Sequence, residues 1–273
     1  MIDTLVDVRV RIANFRELAH YVAALPEPFR PIHFSKGGRI SNKEASRVDD
    51  LGRFSAFIDQ QVDRVSGFDL VGQRIRFGFF VGETRTANHE STHVGCSVML
   101  SGRKWTVADF TLLLKLLCSV PGTERAEACR RAEWECRHIY LKILPPISIQ
   151  TTLGIDMSAS LPSLYWWTVF SDELTERHNL DIDELAAFAI HSERWLTDDG
   201  KVLHAFKLYH APYDWEREMS RVSDFLEAHP NFFSLTRNAA RIDHTQTKEE
   251  FDEVVRPYRA GALAWERAAS ERA

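Results

Sequence analysis

The chain has 273 residues, of which 44% are hydrophobic and 27% charged, with a formal charge of −5. Its length allows one large domain or two of about 100–200 residues, and its composition is that of a globular protein, not a disordered or fibrous one. The acidic balance argues against a dedicated nucleic-acid binder, which carries a basic footprint to displace phosphate counterions.

Met1-Ile2-Asp3-Thr4 lacks the basic start and apolar run of a signal peptide, so a cytoplasmic protein is expected. The first predicted strand is Leu5–Ile12, in which Val6, Val8, Val10 and Ile12 share one face, and Asn14 is placed to cap a following helix. Apolar positions at Leu51, Phe54, Ile58, Val62 and Val65 form the stripe of an amphipathic helix from Val48 onward. Alternation over 74–81 and 93–100 predicts two strands. Thr106 followed by Asp109 resembles a capping box ahead of an apolar helix over 110–117, expected to be buried on nearly all sides. Its run Leu112-Leu113-Leu114, broken by Lys115, is far shorter than the ~20 apolar residues of a membrane span. Glu124–Tyr140 reads as a second, charged helix.

Leu144-Pro145-Pro146 suggests an N-terminal part, 1–144, and a C-terminal part, 145–273, with one continuous core as the alternative. Leu164–Phe170 is aromatic and β-branched enough for a strand, in which alternation would send Trp166 and Trp167 to opposite faces. Ser171 and Asp172 open a short polar helix. Residues 188–193 and 202–209 alternate as strands around Asp198-Asp199-Gly200, a tight antiparallel hairpin. Asp214–Ala228 is helical by the spacing of Trp215, Met219, Val222 and Leu226, and two terminal helices follow over 249–255 and 262–269. Strands and helices do not alternate as regular βαβ units, so the expected class is α+β with mainly antiparallel sheet.

No catalytic motif stands out. His89, His93 and Cys96 could supply three zinc ligands, but the segment reads as a loop entering a strand and has no evident fourth ligand. His191-Ser192-Glu193 resembles the His-x-Glu of zinc deaminases, yet no Cys follows Cys136 to complete the metal set. There is no Gly-x-Ser-x-Gly elbow, and Lys36-Gly37-Gly38-Arg39 lacks the ending of a phosphate loop. Cys96, Cys118, Cys129 and Cys136 are scattered, as for reduced, buried thiols. No catalytic residue, metal or cofactor is expected.

Charge is distributed unevenly. Between Ser171 and Asp199 nine acids face two arginines, a local charge of −7 that leaves +2 for the rest of the chain. Such a stretch is either a solvated polar face or a surface that steers a basic protein. Tyr and Trp residues lie around it, and these are preferred interface anchors.

The segment Leu164–Ala228 resembles the bacterial immunity protein 52 family. The likeness is carried by the strand Tyr165-Trp166-Trp167-Thr168-Val169-Phe170, a polar helix ending near Leu180, the Asp198-Asp199-Gly200 hairpin and the exit Ala211-Pro212-Tyr213-Asp214. More loosely, the Glu44–Val65 helix and the two strands after Phe68 are similar as well. The resemblance implies a cytoplasmic antitoxin against a polymorphic or type VI secretion toxin, often a nuclease, which it would inhibit without turnover. It implies a toxin protein as partner, and neither nucleic acid nor membrane. Asp172, Glu173, Glu176, Asp181, Asp183 and Glu184 would steer the toxin's basic cleft, with Trp166 or Trp167 as anchor. The alternatives are a metal-assisted hydrolase using His89 and His93, and an effector adaptor or chaperone.

Overall fold

The computed structural model describes residues 2–36, 46–63, 67–86, 89–101, 105–144, 147–152, 161–229 and 231–232. The predicted turn at Pro145-Pro146 and the two terminal helices lie outside these residues. Two compact units are formed by interleaved segments, the first from Met1–Glu83, Thr92–Arg131 and Tyr165–Trp215, the second from Thr84–Ser91, Ala132–Leu164 and Glu216–Ala273. Residues from both sides of Leu144 therefore contribute to the second.

In chain order the elements are β1 (Ile2–Arg11), α1 (Phe15–Ala23), β2 (His33–Ser35), α2 (Leu51–Asp63), β3 (Phe68–Val71), β4 (Ile75–Thr86), β5 (His89–Ser101), α3 (Val107–Cys118) and β6 (Thr123–Arg130). They continue with α4 (Arg131–His138), β7 (Ile139–Leu144), β8 (Ile147–Thr152), β9 (Trp167–Ser171), α5 (Asp172–Arg177), α6 (Ile182–Phe188), β10 (His191–Leu196), β11 (Val202–Lys207) and α7 (Trp215–Ala228). Nine strands form one sheet in the order β10-β11-β9-β6-β1-β5-β4-β3-β2. Its described pairings are antiparallel, and the fold is α+β.

In the first unit β1 lies between β5 and β6. Its valines at 6, 8 and 10 are buried on one face with Ala126, Ala128, Cys96 and Val98, and α3 packs against β1 and β6. Phe15 of α1 lies 5.6 Å from Phe68, which stacks on Phe79 at 4.3 Å, while Phe34 is 5.6 Å from Phe54 and 4.7 Å from Phe57. These rings fix α1 and α2 against the β2–β4 end of the sheet. The opposite face of β1 carries Asp7 and Arg9, paired in register with Glu127 and Arg125 of β6. Ser97 Oγ donates to Asp7 Oδ2 at 2.6 Å, and Arg125 Nη1 lies 3.6 Å from Glu127 Oε2. A buried row of both signs thus balances itself within the sheet.

The second unit contains the β7–β8 hairpin, and α7 buries Val222 and Leu226. Leu161 and Phe232 form a parallel bridge, Leu161 N donating to Asn231 O at 2.7 Å.

Two expectations are corrected. Residues 124–130, read as the start of a charged helix, belong to β6. Ala, Glu and Arg favour helix in isolation, but the ladders offered by β1 and β9 on both sides outweigh that preference. The apolar helix α3 is less enclosed than expected, since Leu112 is exposed.

Candidate functional site

The acidic stretch begins where β9 ends. Ser171 caps α5, its hydroxyl accepting from Leu174 N at 3.3 Å, and Leu174 and Thr175 anchor the helix inward. That leaves Asp172 and Glu173 in the first turn, where carboxylates oppose the positive end of the backbone dipoles. Asp181 caps α6 by accepting from Glu184 N at 2.9 Å, and Leu185 is the buried residue of that helix. Both helices pack against β11.

The six predicted steering residues divide by their partners. Asp172 Oδ1 lies 2.5 Å from Nε2 of His204, a buried residue of β11. Glu173 pairs with Arg11 of β1 and lies 3.6 Å from Lys201 Nζ. Internal cations therefore answer Glu173, and Asp172 is tied to an imidazole. Glu176, Asp181, Asp183 and Glu184 are exposed on the two short helices and the link between them.

The two predicted anchors need correction. Trp166 is 0% and Trp167 2% exposed, so both are core residues and neither projects from the surface. Trp166 precedes β9 and meets Phe110 of α3 edge-on at 6.4 Å, whereas Trp167 opens the strand and lies 5.4 Å from Trp195 of β10. Sequence alternation treats the pair as two strand positions with one covered face, but Trp166 stands outside the strand. Their indole Nε1 atoms are buried without a hydrogen-bond partner among the described residues, at a typical cost of about 1–3 kcal/mol for each such group.

A second cluster was not anticipated as a unit. Glu193 of β10 accepts from Lys115 Nζ of α3 at 2.7 Å and from Trp195 Nε1 at 2.9 Å, and His191 Nε2 lies 3.0 Å away. Burial alone would push this carboxyl up, but the hydrogen bonds from Lys115, Trp195 and His191 outweigh it and hold the pKa down to about 2. The sequence signal was the alternation of His191, Glu193 and Trp195. Lys115, from a distant helix, left none.

As for the alternatives, residues 89–101 form a strand, so His89 and His93 are not on a helix; their side chains lie outside those described. Among the described residues no group of three His, Cys, Asp or Glu side chains is placed to hold a metal ion. Cys96, Cys118 and Cys129 are buried, and burial raises the Cys96 and Cys118 thiols well above their ordinary range, the opposite of an activated nucleophile. Among the described residues no helix is long and apolar enough to cross a membrane.

No family model and no curated protein matches the chain. A solved structure of a Pseudomonas aeruginosa T6SS protein is similar with a TM-score of 0.42 and 10% sequence identity, over 78% of this chain and 72% of that one.

Proposed function

We propose that the chain is an immunity protein that binds a cognate bacterial toxin, a nuclease, and occludes its basic active cleft without turnover. The observation that carries this reading is the exposure of Glu176, Asp181, Asp183 and Glu184 on α5, α6 and the link between them. A nuclease must attract a polyanion, so its cleft is cationic, and carboxylates on a fixed scaffold both steer it and compete with the phosphates. Asp172 and Glu173 fit better as supports that hold α5 through His204, Arg11 and Lys201 than as contacts. The resemblance of the Leu164–Ala228 segment to the immunity protein 52 family supports the same reading.

The test uses the toxin encoded in the neighbouring reading frame, purified and assayed on DNA. Equimolar protein is expected to abolish cleavage of DNA by the already folded toxin, and the quadruple variant Glu176→Gln, Asp181→Asn, Asp183→Asn, Glu184→Gln to inhibit at least about tenfold less well. Undiminished cleavage at a large excess of protein would overturn the proposal; inhibition unchanged in the quadruple variant would overturn the assigned surface.

A further inference from the structure

We propose that the outer edge of β10 takes up an extended segment of another polypeptide as a further antiparallel strand, with an acidic residue of that segment opposite Arg194. The inference concerns the end of the sheet, involves none of the α5–α6 acids and does not depend on the toxin reading.

β10 is the terminal strand of the nine-stranded sheet, and among the described residues it pairs on one side only, with β11. Thr197 N donates to Lys201 O at 3.0 Å, so alternation along the ladder makes Trp195–Leu203, Glu193–Ala205 and His191–Lys207 the hydrogen-bonded pairs. The other side of β11 agrees. Leu208 N donates to Trp166 O at 2.9 Å, which by the same alternation turns His204 and Phe206 to β9 and leaves the backbone groups of Leu203, Ala205 and Lys207 for β10. The N–H and C=O groups of Ser192, Arg194 and Leu196 therefore point away from the sheet, and all three residues are exposed. Such a row is a template for an added strand.

The edge is held in place by α3. Lys115 Nζ grips Glu193 at 2.7 Å, and Asp198 N, in the hairpin turn, donates to Ser119 O at 2.7 Å, just past the end of that helix. A strand fixed in this way loses little freedom on binding. Apolar surface gathers around it as well. Ile190, just before β10, is 43% exposed, Leu196 at its end 61%, and Leu112, one turn before Lys115 on α3, 49%; these are three of the six large apolar side chains exposed among the described residues.

A second copy of this chain is a poor occupant. The outward groups belong to even-numbered residues, so an antiparallel pairing of β10 with itself along most of its length must centre on Glu193 or on Arg194, and either sets like charges directly opposite each other. A different polypeptide avoids this clash. Arg194 makes no ion pair among the described residues, and it shares with Ser192 and Leu196 the face opposite Glu193 and Trp195. A carboxylate opposite Arg194, with an apolar residue two positions away opposite Leu196, complements that face.

The probe is a blocked peptide, Val-Thr-Glu-Thr-Val, added to the 15N-labelled full chain while amide hydrogen exchange is followed residue by residue. Saturable slowing is expected at Ser192, Arg194 and Leu196, with Glu193 and Trp195, already bonded to β11, unchanged. Replacing the peptide's Glu by Lys is expected to weaken binding about fivefold, and Arg194→Glu, at an exposed position, to reverse that preference. No saturable protection, protection that does not alternate along β10, or equal binding of the two peptides by the wild type would overturn the proposal, as would an unreversed preference in Arg194→Glu. Protection of the same amides that rises with protein concentration in the absence of peptide would assign the edge to a second copy and overturn it too. If Arg194→Glu does not fold, Arg194→Gln is expected to bind both peptides equally, and a retained preference for Glu overturns the proposal.

Discussion

Glu193→Gln isolates the electrostatic clamp between α3 and β10. The glutamine keeps the shape but gives Lys115 a neutral acceptor and adds a donor facing Trp195 and His191. In the folded protein the carboxyl is held at about 2 against an ordinary 4.5. That difference corresponds to about 3 kcal/mol, and to something on the order of 2 kcal/mol after allowing for solvent at a side chain 27% exposed. The folded pKa is depressed, so the stabilisation is fully present above the unfolded value and is lost as pH falls through the folded one. Urea unfolding followed by tryptophan fluorescence should therefore show the wild type more stable than the variant by a constant gap from pH 8 to about 5. The gap should narrow between about 4.5 and 2. In a thermal scan at neutral pH it corresponds to about 4–8 °C for a chain of this size. A gap below about 0.5 kcal/mol at pH 7, or one that does not narrow on acidification, would refute the reasoning.

Thr106→Ala removes the side chain that accepts from Asp109 N at 3.2 Å and leaves Asp109 one donor fewer; it should cost about 1 kcal/mol in urea unfolding, with Thr106→Ser near neutral. Gly200→Ala meets no atom within 4 Å but must hold a φ of +83°, so a loss of about 1 kcal/mol should appear from backbone strain alone. Cys96 and Cys118 should resist a thiol reagent in the native state at pH 8 and react on unfolding; rapid native labelling of either, mapped by peptide mass, would contradict their burial.

The elements legible from sequence are those whose signals are local. The valines of β1, the Thr106–Asp109 cap and the Asp-Gly turn between β10 and β11 each specify their structure within a few residues, and each is where the pattern placed it. β6 was not legible because its partners β1 and β9 lie far away in the chain, and only they make a strand of Glu124–Arg130 preferable to a helix. The α5–α6 acids could be counted from sequence, but their division could not. Arg11 reaches Glu173 from β1, and His204 meets Asp172 from β11, contacts that exist only once the sheet has formed. The two tryptophans were misassigned for a related reason, since alternation specifies which face a residue takes but not what covers that face.

The association rate with the proposed cognate toxin tests the electrostatic role of the α5–α6 acids most directly. Stopped-flow binding across a range of salt concentrations should give a fast rate that falls steeply as salt rises. Removing the charges at Glu176, Asp181, Asp183 and Glu184 should slow it about tenfold or more at low salt and flatten that dependence. An association rate and salt slope identical in the wild type and the neutralised variant would contradict the account.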